Sequence, residues 1–207
     1  MKRRTTLISA IAAVALIGGG AATAVAVSGD DDSSAASKSS VSVKDDGVGD
    51  AQENAAEAKG ATIGAEEAIA AALKHTPGVV TGADLDSDDG RLVWDVDVIG
   101  SGATAWHHVE VDPGTGKVLG SHVDRDEDDD PARVAAALKG ASTSASDAAR
   151  AVSAKGTVTS VDADDDGSVT VWEVETTSSN GTQQDWNVDL RSGAVTLDRP
   201  STTPDDD

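Results

Sequence analysis

Apolar and polar positions alternate in two similar stretches. Leu92, Trp94, Val96 and Val98 are interleaved with Val93, Asp95 and Asp97, and Trp172 and Val174 with Val171, Glu173 and Glu175. A period of two predicts strands with one face on a core and the other in water. A helical spacing precedes each. Ile69, Ala72 and Leu73 form one stripe, with Gly64 at the cap and Glu66 and Glu67 in the first turn, where carboxylates suit the helix dipole. Pro77-Gly78 stops this helix at about His75. In the second stretch Ser144 takes the cap and Asp147 the capping-box position. Its stripe, Ala149 and Val152, is thinner and no Pro-Gly pair follows, so a looser helix is expected. Further strands are predicted over 79–85, around Val109 and Val111, and over 117–119, then over 157–162, 170–174 and 186–190. Turns fall at Asp86-Ser87-Asp88-Asp89-Gly90, Pro113-Gly114-Thr115-Gly116, Asp164-Asp165-Asp166-Gly167 and Arg191-Ser192-Gly193. Asp130 as cap, Pro131 at the first position and Gly140 past the end predict a short helix over 131–139.

These elements repeat. Lys59-Gly60-Ala61 returns as Lys139-Gly140-Ala141, Trp94-Asp95-Val96-Asp97 as Trp172-Glu173-Val174-Glu175, and Val111-Asp112 with its turn as Val188-Asp189 with its own, at offsets of 80, 78 and 77 residues. Three blocks in one order mean duplication. The fold class expected is α+β: two tandem repeats, each one helix packed on a small antiparallel meander. A unit of about sixty residues is marginal alone, so an interface between the units is expected.

Composition sets the location more than the chemistry. The chain has 207 residues and a formal charge of −21, which argues against nucleic-acid binding. It has no Cys, excluding disulfides, thiolate metal sites and lipoprotein anchoring. Lys2-Arg3-Arg4 precedes an apolar segment over residues 7–27 with small residues at its end, the order of a secretory signal. The same segment is long enough to remain as a membrane anchor, and both readings place the remainder outside the cytoplasm. The exported part carries 13 basic against 37 acidic residues. The organisation expected is a signal or anchor over 1–27, a flexible acidic Ser-rich linker over 28–57 and a first domain over 58–123. An acidic linker with a short helix over 124–141, a second domain over 142–199 and a disordered tail over 200–207 follow.

The helix Ala65-Glu66-Glu67-Ala68-Ile69, the strand Trp94-Asp95-Val96-Asp97-Val98 and the ending Val109-Glu110-Val111-Asp112-Pro113-Gly114-Thr115-Gly116-Lys117-Val118-Leu119 resemble the PepSY family. The second copy keeps the Trp172 strand and the Val188-to-Val195 ending and departs at the helix end. The resemblance implies no catalytic residues. It points to modules found in propeptides of secreted metallopeptidases and in small exported bacterial proteins. The chain has neither His-Glu-x-x-His nor Gly-x-Ser-x-Gly.

Asp162, Asp164, Asp166 and Glu173 have the spacing of a calcium loop, D-x-D-x-D-G-x5-E, and are the candidate metal ligands. The competing reading is a solvated Asp-Gly hairpin turn, because Val169 onward alternates as a strand. His107 and His108, adjacent on a strand, should face opposite ways and share no ion. Surface positions are expected for all four histidines, with His122 past the last strand of the first unit. Trp94 and Trp172, at matching positions, are expected in the core, and Trp106, off the strand parity, as an exposed contact. The acidic run 124–130 reads as a solvated linker. The function expected is a non-enzymatic exported protein that binds a protein or peptide partner at the envelope, a secreted peptidase among the candidates. The alternative is a calcium-responsive acidic envelope protein, with membrane contact only through the N-terminal segment.

Overall fold

The structure, a computed structural model, describes residues 38–43, 49–88, 90–124, 130–164 and 169–198. The expected signal or anchor and the C-terminal tail lie outside the described residues. The elements in order are α1 (Asp50–Gly60), α2 (Ala65–His75), β1 (Gly78–Asp88), β2 (Arg91–Gly100), β3 (Trp106–Val111) and β4 (Val118–Asp124). The second half follows with α3 (Pro131–Lys139), α4 (Ala145–Val152), β5 (Thr157–Ala163), β6 (Val171–Thr177), β7 (Gln183–Asp189) and β8 (Val195–Leu197).

Each half is a four-stranded antiparallel meander, and the two join into one sheet of order β4-β3-β2-β1-β5-β6-β7-β8. The seam is antiparallel pairing of the first strand of each meander, with Gly82 opposite Asp162, Ala83 opposite Val161 and Asp84 opposite Ser160. The expected interface is thus a shared sheet, and α2 packs on α4 beside it. Arg150 bridges the two helices at 2.6 Å from Glu66. That pair is well exposed and adds little stability.

The duplication is visible bond by bond. Trp94 Nε1 donates to the Ile63 carbonyl at 3.2 Å, and Trp172 Nε1 to the Thr143 carbonyl at 3.0 Å. The backbone N–H groups of Thr62 and Ile63 both donate to Pro113 O, and those of Ser142 and Thr143 to Leu190 O. Asp112 Oδ1 accepts from the N–H groups of Gly114 and Thr115, as Asp189 Oδ1 does from those of Arg191 and Ser192. Gly116 and Gly193 close these turns at φ of +71° and +67°, a region costly for a residue with a Cβ. Both tryptophans are buried with Ile69, Val96, Val98, Val109, Val152, Val161 and Val174 in one continuous core. Helix α4 has 8 residues against 11 in α2.

Three expectations about the elements and their packing need correction here. The flexible linker over 28–57 does not describe residues 39–43 and 50–57. Val41 and Val43 bond the backbone of Leu92 and Gly90, and Ser40 donates from its N–H and hydroxyl to the Asp112 carboxylate. Residues 50–57 belong to α1, which packs on β1, β5 and β6. The reason is a longer repeat than first read: Ala55, Ala58 and Lys59-Gly60 align with Ala135, Leu138 and Lys139-Gly140, and the first two of each set are buried. Helices α1 and α3 are therefore counterparts. His122 is the second correction, since β4 continues to Asp124 and carries it. Trp106 is the third; it packs, half-buried, against the core rather than standing out as a contact.

Helix α1 also leans on Gly181, where φ is +82° and an added Cβ would overlap the Ala51 backbone. Gly181→Ala is expected to cost about 1–2 kcal/mol through the left-handed backbone alone. It should also speed amide exchange across 50–60, which hydrogen-exchange mass spectrometry would read.

Candidate functional site

With α2 and α4 covering one face, the alternation in each strand sends the charged positions to the other. Register then lines them up. One row runs His122, His108, Asp97, Gly82, Asp162, Glu173, Asn187 from β4 to β7. The next row runs Gly120, Glu110, Asp95, Asp84, Ser160, Glu175, Asp185. Adjacent strands lie about 4.8 Å apart, so like charges here oppose one another at short range. Gly82 leaves a gap: a Cβ there would sit 2.7 Å from Asp162 Oδ1 and 3.6 Å from Asp97 Oδ2.

The titration of this face follows from that crowding. Burial, then the neighbouring Asp162 carboxylate, pushes the Asp84 carboxyl well above its ordinary value, against a hydrogen bond from Ser160. Burial and Asp97 push Asp95 up to about 6, opposed by His108. His108 Nδ1 lies 2.6 Å from Asp97 Oδ1, and this hydrogen bond raises the imidazole pKa against burial. His122 stacks on His108 with ring centroids 4.5 Å apart, and burial together with His108 lowers its pKa. His108 is therefore half-buried and paired, a correction to the surface placement expected of it.

The predicted metal ligands are only partly gathered. Asp162 and Glu173 are cross-strand partners on β5 and β6, Asp164 follows the end of β5, and Asp166 lies outside the described residues. Strands flank this turn on both sides, where an EF-hand has helices. Among the described residues, the group that does come within reach of one ion is Asp95, Asp97 and His108, whose ligand atoms lie within 4.8 Å of one another. The alternation of Asp95 and Asp97 was readable, but the β2–β3 register that sets His108 opposite Asp97 was not.

The sheet also has two outer edges. β4 is 7 residues long, without proline, and β8 has 3. Among the described residues the exposed large hydrophobics are Val123 on β4 and Leu197 on β8. Asp124 ends β4, and the acidic run to Asp130 follows it in sequence. Among the described residues no helix is long and apolar enough to cross a membrane.

Two helix-on-meander modules fused through their first strands define the architectural class. The family model described as peptidase propeptide and YPEB domain, PepSY, matches residues 62–122 and 142–199, and the chain belongs to this family. The matches coincide with the two halves of the sheet. A crystal structure of a candidate lipoprotein from Clostridium difficile 630 is similar at a TM-score of 0.40 and 18% identity, over 60% of this chain and 84% of that one. No curated protein matches the chain.

Proposed function

We propose that this is an exported, non-enzymatic PepSY protein that binds an extended, basic polypeptide at the cell envelope and so restrains a secreted peptidase. The open β4 edge carries this reading. A seven-residue strand offers a row of backbone donors and acceptors to an added strand, and its neighbour β3 is held firmly in the sheet. Natural edges are usually blunted by lysine, proline or a bulge near the tip. β4 has one irregularity, where its pairing with β3 shifts between Val118 and Gly120, and beyond it the strand presents Val123 between His122 and Asp124. The carboxylates that follow, and a net charge of −21, select basic over acidic partners. The N-terminal basic and apolar segment supports export, and the family supports the peptidase connection.

Binding of basic extended peptides, followed by fluorescence anisotropy, should weaken as salt rises. Val123→Lys should weaken it at least roughly tenfold, about 1.4 kcal/mol, by placing like charge against the partner. Leu197→Lys on the opposite edge should leave it unchanged. Equal losses from both variants would refute binding at β4. Peptidase restraint is read separately, as stoichiometric inhibition of a co-secreted metallopeptidase.

A further inference from the structure

We infer that Asp95, Asp97 and His108 form a binding site for a divalent transition-metal ion of the zinc class on the face of the sheet opposite α2 and α4. The site is independent of the β4 edge reading. Asp95 and Asp97 stand two apart on β2 and project to the same face, and β3 sets His108 directly opposite Asp97. Their ligand atoms lie within 4.8 Å of one another. Zinc bound at about 2.0–2.2 Å needs its ligands about 3.5 Å apart, a spacing that rotation of two half-buried carboxylates supplies.

Hydrogen bonding supports the assignment independently. Asp95 Oδ1 is buried and has no hydrogen-bond partner among the described residues. Asp97 Oδ1 and His108 Nδ1 are buried facing each other at 2.6 Å, with no other partner there. A buried acceptor left unpaired is costly, and an ion would give Asp95 Oδ1 the partner it lacks. It would take the place of the proton between His108 and Asp97, with water completing a four-coordinate shell.

The donor set decides the class of ion. Calcium takes six to eight oxygens and magnesium prefers carboxylates with several waters, whereas one imidazole with two carboxylates suits zinc and its neighbours. The rows on either side, Asp84 and Glu110 beside Asp95, and Asp162 across the Gly82 gap from Asp97, add negative potential that favours a dication.

The test is titration of the purified, chelator-stripped full chain with Zn²⁺ alone, by calorimetry and thermal melting. One ion per chain is expected, with a rise in Tm of roughly 5–10 °C at about a hundredfold excess over Kd. His108→Gln and Asp97→Asn should each weaken binding at least tenfold and abolish most of the shift. Asp95→Asn, which removes a buried charge, should stay folded and also lose affinity. Asp166→Asn and His122→Gln should bind as the parent does. Affinity that survives His108→Gln, depends instead on Asp166, or appears as several weak sites removed by salt would overturn the assignment.

Discussion

Trp172→Ala is expected to destabilise the protein by about 3–5 kcal/mol and to lower the unfolding midpoint of both halves together. The indole is buried beneath α4 in a core that runs without a break into the first half. Removing it empties a volume that the surrounding Ala148, Ala149 and Val152 are too small to refill. The hydrogen bond to Thr143 O is lost as well, leaving that carbonyl short of a partner where the chain enters α4. Trp172→Phe separates the two effects: it keeps most of the apolar area and is expected to cost about 1–2 kcal/mol from the bond and the smaller ring. Guanidinium unfolding followed by circular dichroism and by the fluorescence of the remaining Trp94, Trp106 and Trp186 should give one coincident transition. The β1–β5 ladder and the α2–α4 contact couple the halves, so the first half should not persist once the second has lost its core. Two separated transitions would show that the seam is too weak to join them.

The halves were legible because each carries its own local code. The cap and first turn of α2, the Ser144–Asp147 box, the tryptophan strands and the Asp-to-Gly turns are all set within a dozen residues. What escaped the sequence depends on pairing over distance. Each meander has two edges, and nothing in the alternation says that the first strands meet. Once they do, Asp84 meets Ser160 and Asp97 comes near Asp162 across Gly82, two rows that no single strand displays. The calcium-like spacing was chemistry read along the chain, whereas Asp95, Asp97 and His108 are gathered across it. Helix α1 was missed for another reason. Its buried face is alanine, Ala55 and Ala58, whereas α3 buries Val134, Ala135 and Leu138, so its apolar stripe was too faint to separate from a Ser- and Ala-rich linker.

Between pH 5 and pH 8 the metal-free protein is expected to lose stability as pH rises, opposite to the behaviour of a protein held by paired carboxylates. The outer face sets the sign. Asp84 is faced by Asp162 on β5 and by Asp95 and Asp97 on β2, and burial adds to their repulsion. Its folded pKa lies above the unfolded one, so the native state binds the extra proton and stability is lost as pH climbs through the folded value. Asp95, at about 6 folded against 3.8, contributes on the order of 3 kcal/mol in all, lost between about pH 4 and pH 6. Glu57, raised by burial, and His108, raised by Asp97, act in the same direction. Below about pH 4 the trend reverses. There Asp112, held low by hydrogen bonds from Ser40, Gly114 and Thr115 that outweigh burial, must take up a proton and release the 38–43 segment. A maximum at about pH 4 follows. Asp84→Asn is the decisive variant, because an amide keeps the shape and can donate to Asp162 or Asp95 without a charge to bury. Thermal melts in chelator should show the variant more stable than the parent at pH 8, with the gap narrowing as pH falls and the parent carboxyl takes up its proton. A variant less stable than the parent at pH 8, or a gap that does not change with pH, would mean that the seam carries its charges without cost.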